Sequence, residues 1–294
     1  MRAFEYVVAR DSAQAMALLA EHGSSVKILA GGTDLLVELK SASHGPQVIV
    51  DISRAEDMKK ISLTGEGLSI GALATHSEIM DSQLIRDMFP ALVDAAHTIG
   101  AVQTRNLGTL GGNLVTCVPS MDSGPTLIAL EALVTIAGAE GRRQMPLTDF
   151  FVGPRKTILK PTELLVDIII PKKNLGKPVH FLKSGLRKGQ ALALVNVAAS
   201  LWVDKNTFLE PRIALGAVAP VVMRATQAEA YLAGRAVTPE AMMEAGRIAA
   251  GEARPITDFR ASAEYRRDLI AVLTKRALEN AVLLAQAKLK GVKK

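Results

Sequence analysis

The stretch VKILAGGTDLLVELK, residues 26–40, decides the fold of the N-terminal part of the chain. Its apolar run at residues 26–30 is typical of a strand and leads into Gly31 and Gly32. Thr33 is a suitable cap for a helix that continues through residue 42. The sequence therefore predicts a strand, a glycine turn and a helix. Backbone N–H groups in such a turn, with the positive end of the helix, favour a phosphate, although an ordinary strand-to-helix turn has the same pattern.

A second glycine pair, Gly111 and Gly112, lies within the segment IGAVQTRNLGTLGGNLVTCVPSMDSGP, residues 99–125. This segment has little periodicity, which predicts a long ordered loop, and such loops in compact domains are usually functional. Thr109 and Asn113 flank the pair with a hydroxyl and an amide. Two such loops could hold the two phosphates of a dinucleotide from opposite sides.

Two further polar motifs leave their roles open. Asp122 could accept hydrogen bonds from a ribose or another sugar-like hydroxyl, and an Asx-turn is an equal alternative. Residues 67–71, GLSIG, match the GxSxG pattern of a hydrolase, but that nucleophile needs a strand before it and a helix after it. Strand-like alternation surrounds this serine, which disfavours a serine hydrolase. The absence of GxGxxG opening a helix and of GxxxxGK[ST] disfavours a Rossmann domain and a P-loop.

Outward from the glycine loops, helical and strand-like patterns alternate along the chain. Helices are predicted at residues 12–22, 88–98 and 262–285, and a hairpin at residues 61–73. Strand-like runs lie at residues 48–52, 126–138, 164–171, 191–203 and 211–220. These patterns predict a mixed sheet first and a second sheet later, with a boundary rich in Lys, Gly and Pro near residues 172–178.

Length and charge bound the interpretation. A chain of 294 residues predicts about two domains, and its hydrophobic content of 49% excludes disordered and low-complexity classes. The formal net charge is +6. Residues 176–294 have more basic than acidic side chains, whereas residues 1–175 are slightly acidic. Because the basic residues are dispersed and aromatic residues are only 4%, nucleic acid is disfavoured relative to a docking face or a phosphate-bearing ligand.

The cysteine and histidine content limits the metal chemistry of this chain. One cysteine, Cys117, is too few for a disulfide or an iron–sulfur cluster, and the five histidines form no HExxH motif. We therefore expect no metal site. The N-terminus has no signal-peptide pattern, and no run of 18 apolar residues predicts a transmembrane segment, so we expect a cytoplasmic protein.

These motifs together resemble those of the FAD-binding medium subunit of the molybdenum hydroxylase family, which includes carbon monoxide dehydrogenase and xanthine dehydrogenase. The resemblance covers nearly the whole chain and includes KILAGGTDLLVELK, QTRNLGTLGGNLVT, PSMDS, ELLVDIIIP and FLKSGLRK. It implies an α+β fold with a vanillyl-alcohol-oxidase-type FAD-binding domain at residues 1–175. That domain would comprise two α/β subdomains, at about residues 1–56 and 57–175. A C-terminal domain of antiparallel sheet and helices would follow at residues 176–294.

The resemblance also implies which residues bind FAD, and it assigns no catalytic side chain. The residues of the first pyrophosphate loop would be Lys27, Ile28, Leu29, Ala30, Gly31, Gly32, Thr33 and Asp34. Those of the second loop would be Thr109, Leu110, Gly111, Gly112 and Asn113. Asp122 would lie near the sugar end of the flavin, Leu165 would pack on the cofactor, and Lys183 would lie at the domain junction. Ile99 stands where some relatives place an aromatic ring against adenine, so apolar contact is expected there instead of stacking.

The family resemblance further implies an electron-transfer role within an oxidoreductase complex. An iron–sulfur subunit and a molybdopterin-binding subunit would be the partners, and FAD would pass electrons to an external acceptor such as NAD, a quinone, ferredoxin or oxygen. Two alternatives stay open: a freestanding FAD-dependent oxidoreductase, and a docking subunit that has lost FAD. The intact glycine loops argue against the second alternative.

Overall fold

The computed structural model describes residues 3–42 and 45–291. Its first layer is a parallel sheet in which β3 (Val48–Asp51) lies between β1 (Glu5–Val8) and β2 (Val26–Leu29). All four residues of β3 are buried, as is typical of a central parallel strand. The helices α1 (Ser12–His22) and α2 (Leu35–Ser41) connect the strands.

The ends of these two helices refine the sequence prediction. Gly23 ends α1 with a φ of +56°, as predicted. In α2 the N-cap position is Asp34 and its side chain makes no capping hydrogen bond, so the prediction that Thr33 caps this helix was wrong. Thr33 lies instead in the turn between β2 and α2.

The second sheet is antiparallel and has the order β4-β5-β10-β6-β7. Its strands are β4 (Ile61–Leu63), β5 (Gly67–Gly71), β6 (Leu133–Gly138), β7 (Gly141–Pro146) and β10 (Leu164–Pro171). The pairing of β4 with β5 confirms the predicted hairpin. The prediction of one mixed sheet was wrong, because the parallel and antiparallel strands belong to separate sheets. Ser69 lies in the middle of β5 and no helix follows it directly, so it has no nucleophile-elbow geometry.

Short helices lie between β5 and β6. They are α3 (His76–Asp81), α4 (Gln83–Met88), α5 (Pro90–His97), α6 (Val102–Leu107), α7 (Leu110–Thr116) and α8 (Ser123–Ala129). Three of them, α6 to α8, lie in the segment after Ile99 that the sequence predicted to be a long loop, so that prediction was wrong. Helices of six or seven residues are too short to produce a periodic apolar pattern, which explains the error. The strand predicted at residues 126–138 likewise begins as α8, and Glu131, with φ +54°, turns the chain into β6.

The C-terminal part has an antiparallel sheet covered by helices. The strands β11 (Val179–Gly185), β12 (Ala193–Asp204), β13 (Thr207–Gly216) and β14 (Met223–Arg224) pair in sequence order. The helices are α10 (Thr226–Leu232), α11 (Pro239–Glu252) and α12 (Ala263–Gly291). Small residues allow α11 and α12 to pack closely, since a Cβ on Gly246 would lie 2.4 Å from the backbone oxygen of Ala271. An apolar core lies between the sheet and these helices.

The remaining short elements are α9 (Leu147–Phe150), β8 (Phe151–Gly153) and β9 (Lys156–Thr157). A second apolar core lies among the first two sheets and helices α3 to α8, and it extends to Val179 and Phe181 on β11. Within the described ranges, no helix has both the length and the apolar composition needed to cross a membrane.

Candidate functional site

The two glycine-containing loops meet in the structure. The first glycine loop, residues 30–34, follows β2, and the second glycine loop, residues 107–113, joins α6 to α7. A Cβ on Gly31 would lie 1.8 Å from the backbone oxygen of Leu107, so only glycine allows this approach. Gly32 has a φ of +73°, a backbone conformation that glycine adopts without the steric cost of a Cβ. The loops therefore pack against each other beside one cavity.

Twelve of the seventeen residues that the family resemblance implies line this cavity, which encloses about 970 Å³ including space open to solvent. They are Ile28, Ala30, Gly31, Gly32, Thr33, Asp34, Ile99, Thr109, Gly111, Gly112, Asn113 and Leu165. The other five do not line it: Lys27, Leu29, Leu110, Asp122 and Lys183. The structure thus brings together four separate stretches of sequence: β2 with the first glycine loop, the turn at Ile99, the second glycine loop and β10.

The first glycine loop presents a row of backbone donors without acceptors. Within residues 3–42 and 45–291, the N–H groups of Gly31, Gly32, Thr33 and Asp34 make no hydrogen bond. Four consecutive N–H donors beside a cavity form the kind of concave surface that binds an anionic oxygen. Burial raises the pKa of the Asp34 carboxyl, and the positive charge of Arg155 opposes that rise.

The second glycine loop differs, because the protein already uses its backbone donors. The N–H of Gly111 donates to the Ala72 oxygen at 2.8 Å, that of Gly112 to Thr109 Oγ1 at 3.0 Å, and that of Asn113 to the Thr109 oxygen at 3.0 Å. The last two of these bonds form the first turn of α7. The second glycine loop therefore does not offer a row of unbonded backbone donors like that of the first loop.

Gly111 also has a packing role that the sequence did not reveal. A Cβ at this position would lie 2.6 Å from Ala72 Cβ and 2.7 Å from the Ala72 oxygen. Thr109 and Asn113 contribute side chains to the cavity instead. Asn113 Oδ1 accepts a hydrogen bond from Ser123 Oγ at 2.7 Å, which fixes the orientation of the amide.

The remaining walls of the cavity are mostly apolar. Arg105 donates to the backbone oxygens of His97, at 3.1 Å, and Ile99, at 3.0 Å, and so holds the turn that carries Ile99. Leu165 on β10 is buried and lines the opposite side. Such an apolar pocket with a few convergent polar groups is typical of cofactor sites.

Asp122 and Lys183 form a buried ion pair outside the cavity. Lys183 Nζ lies 2.5 Å from one oxygen of Asp122, and Asn196 Nδ2 donates to the other oxygen at 2.8 Å. Lys183 also donates to the backbone oxygen of Thr98 at 3.2 Å. Burial raises the pKa of the Asp122 carboxyl, and the Lys183 ammonium opposes that rise. The pair joins the start of α8 to β11 and β12, and its direct contact with a cofactor stays a prediction.

Sequence reasoning missed His76, which also lines the cavity. Its side chain is buried, and its Nδ1 has no hydrogen-bond partner among the described residues. Burial, with the nearby charge of Arg105, lowers the pKa of His76 to about 4. A capping box fixes its position, because Thr75 and Glu78 bond to each other's backbone N–H groups. The pattern Thr-x-x-Glu at residues 75–78 is visible in the sequence and indicates a helix that begins at His76.

Comparison with known families places matches along almost the whole chain. Residues 2–173 match the model of the FAD binding domain in molybdopterin dehydrogenase. Residues 180–281 match the model of the CO dehydrogenase flavoprotein C-terminal domain.

Individual proteins are similar over nearly their full length. The carbon monoxide dehydrogenase medium chain of Hydrogenophaga pseudoflava is 33% identical, and the match covers 95% of this chain and 96% of that one. The xanthine dehydrogenase FAD-binding subunit of Escherichia coli O157:H7 is 32% identical, with coverage of 97% and 98%.

Solved structures agree with these sequence matches. A chain of the Hydrogenophaga pseudoflava carbon monoxide dehydrogenase that lacks the Mo-pyranopterin moiety superposes with a TM-score of 0.92 at 34% identity, covering 96% of this chain and 98% of that one. A chain of quinoline 2-oxidoreductase from Pseudomonas putida 86 superposes with a TM-score of 0.90 at 28% identity, covering 97% and 98%.

Proposed function

Since this chain belongs to the family of FAD-binding medium subunits of the molybdenum hydroxylases, FAD is its cofactor, and we propose that the FAD diphosphate lies on the first glycine loop. The observation that carries this proposal is the row of four unbonded N–H groups from Gly31 to Asp34. A diphosphate supplies the acceptors that this row lacks. The side chains of Thr109 and Asn113 would bind FAD from the second glycine loop.

Membership of the family confirms the predicted fold class and the predicted class of activity. The chain has the vanillyl-alcohol-oxidase-type FAD-binding fold followed by an antiparallel-sheet and helix domain, and it is an oxidoreductase flavoprotein subunit. We propose domain limits at residues 1–175 and 176–294, with the two N-terminal subdomains meeting at about residue 56.

We further propose that the chain is an electron relay within a complex. When bound, FAD would supply the redox chemistry, taking electrons from iron–sulfur clusters of one partner and passing them to NAD, a quinone, ferredoxin or oxygen. A molybdopterin-binding subunit would be the other partner. The supporting facts are the single cysteine of this chain, which cannot hold a cluster, and its similarity to medium chains of other enzymes. The cytoplasmic location stays a prediction.

The residues of the chain itself then have an orienting role. The backbone of the first glycine loop would hold the diphosphate, whereas Ile99 and Leu165 would exclude water from the cofactor's apolar surfaces. Arg105 donates to the backbone oxygen of Ile99 and so holds that wall in place.

The test of the relay is anaerobic stopped-flow of the isolated chain reconstituted with FAD. We expect the flavin released from the chain as purified, before reconstitution, to be FAD. After reconstitution, dithionite should reduce the bound flavin and a small acceptor should reoxidise it. A panel of purine, aldehyde, N-heterocycle and carbon monoxide should leave the flavin oxidised until the partner subunits are added. Rapid flavin bleaching by a panel member without partners would instead establish a freestanding oxidoreductase. A chain that binds no FAD after reconstitution would contradict both hypotheses, the electron relay and the freestanding oxidoreductase.

A further inference from the structure

We propose that the imidazole of His76 contacts the diphosphate of bound FAD and helps to position it. This inference rests on the proposed placement of FAD on the first glycine loop. His76 lines the cavity with only 2% of its surface exposed. Within the part of the chain that the structure describes, its Nδ1 is buried without a partner. Buried polar atoms are nearly always hydrogen-bonded, so an unpartnered one at a cavity wall indicates a missing ligand.

The backbone places His76 where the two glycine loops meet. The backbone N–H of His76 donates to the backbone oxygen of Gly108 at 3.0 Å. This bond connects the first turn of α3 to the second glycine loop. A Cβ on Gly108 would lie 3.4 Å from His76 Cδ2 and 3.5 Å from Thr33 Oγ1. The imidazole and the Thr33 hydroxyl therefore lie beside the same residue, Gly108. Because Thr33 belongs to the loop with the free donors, a diphosphate on that loop comes within reach of the imidazole.

The chemistry of the group suits this contact. The low pKa of His76, about 4, which burial causes, keeps the imidazole neutral near pH 7. A neutral imidazole has one N–H donor and one acceptor nitrogen. Its N–H can donate to a phosphate oxygen without adding a positive charge near Arg105. Hydrogen bonds to ionised acceptors are stronger than those between neutral groups.

The affinity test compares His76→Leu with His76→Asn, His76→Gln and wild type, using FAD, ADP and riboflavin as probes in calorimetry. We expect His76→Leu to weaken FAD and ADP binding about 10- to 100-fold, which corresponds to loss of a hydrogen bond to a charged group. Riboflavin, which has no diphosphate, should bind as it does to wild type. At least one of the two amide variants should recover part of the FAD affinity. His180→Leu is the matched control, because His180 is half-buried on β11 and does not line the cavity.

A measurement on the unaltered protein detects the contact directly and uses a variant only to assign signals. The chain has five histidines, so nitrogen NMR of histidine-labelled protein gives a spectrum of few signals. The His76 signals are assigned by their loss in His76→Asn. Addition of ADP should shift one His76 nitrogen, whereas the His180 signals should not move.

The outcomes separate this inference from the placement of FAD. Unchanged His76 signals with ADP bound, or a folded His76→Leu variant with wild-type affinity for FAD and ADP, would overturn the His76 contact alone. Equal weakening of riboflavin and ADP would also overturn it, because the damage would then be general. If Gly32→Ala binds FAD like wild type, the placement on the first glycine loop fails and the His76 inference fails with it.

Discussion

Replacement of Gly32 by alanine tests whether the first glycine loop holds the cofactor. Gly32 has a φ of +73°, a backbone conformation that costs an L-residue roughly 1–2 kcal/mol. Its Cβ would lie 3.0 Å from Leu29 Cδ1 and 3.2 Å from Leu36 Cδ1, both ends of flexible side chains. Backbone strain is therefore the main effect of the substitution, and it acts on the N–H groups of the loop.

Gly234 provides a matched control for this strain. Its φ is +78° and a Cβ there would have no neighbour within 4 Å. It follows α10 in the C-terminal part and does not line the cavity. Gly32→Ala and Gly234→Ala should each lower the free energy of unfolding by roughly 1–2 kcal/mol. For a chain of this size, that corresponds to a fall of a few degrees in the melting temperature.

The two variants should differ in FAD affinity. If the loop relaxes the strain by rotating its peptides, the N–H groups of Gly32 and Thr33 turn away from the diphosphate. Loss of one such hydrogen bond to a charged group weakens binding roughly 10- to 100-fold. Gly234→Ala should bind FAD like wild type. Quenching of FAD fluorescence gives the affinities, and thermal unfolding without FAD gives the stabilities. Equal FAD affinity in both variants, with equal loss of stability, would refute the placement of the diphosphate.

Two other changes test the packing and the electrostatics of the fold. Gly111→Val should destabilise the folded chain more than Gly32→Ala does, because a Cβ on residue 111 would lie 2.6 Å from Ala72 Cβ. The measurement is thermal unfolding without FAD. Gly153→Val is the control, because a Cβ on residue 153 would be in open space. A wild-type melting temperature for Gly111→Val would contradict the close packing of α7. Burial alone would raise the pKa of Glu131, but its hydrogen-bond partners, Arg212 among them, lower that pKa from 4.5 to about 2. Because the pKa of Glu131 is lower in the folded chain than in the unfolded chain, the ionised carboxylate stabilises the fold. This contribution is complete above pH 4.5 and is lost as the pH falls towards 2. Glu131→Gln should therefore reduce the slope of the unfolding free energy against pH between these two values. An unchanged slope in urea titrations would contradict the assignment.

Local sequence patterns were sufficient for many elements of the fold. The strand, glycine turn and helix around Gly31 are present as predicted, as are the hairpin of β4 with β5 and the end of α1 at Gly23. Glycine, capping residues and period-two alternation act on neighbouring residues, so they can be read without the tertiary structure. The longer motifs, taken in order, resemble those of the FAD-binding medium subunits closely enough to indicate the family and, through it, FAD.

Short helices and sheet membership could not be predicted in this way. The helices α6, α7 and α8 have only six or seven residues, which is too short for a helix to be stable on its own. Tertiary contacts stabilise them, because α6 packs on α3, α7 on β10, and α8 on β12 and β13. Residues 126–129 have the apolar composition of a buried strand, but they form a buried helix. Burial on all sides removes the periodicity that distinguishes the two.

Within the candidate site, the sequence determined which residues could approach an anion, and the tertiary structure decided which of them are free to do so. The glycine pairs look alike in sequence, yet among the residues that the structure describes only the first loop keeps a row of four unbonded N–H groups. The second loop gives N–H groups to Ala72 and Thr109 because it begins α7, a helix that packs on β10 and α8. The burial of His76 likewise depends on its contact with Gly108, which is distant in sequence. A hydrogen-bonding group is available to a ligand only if no other group has taken it, and contacts between distant residues decide that.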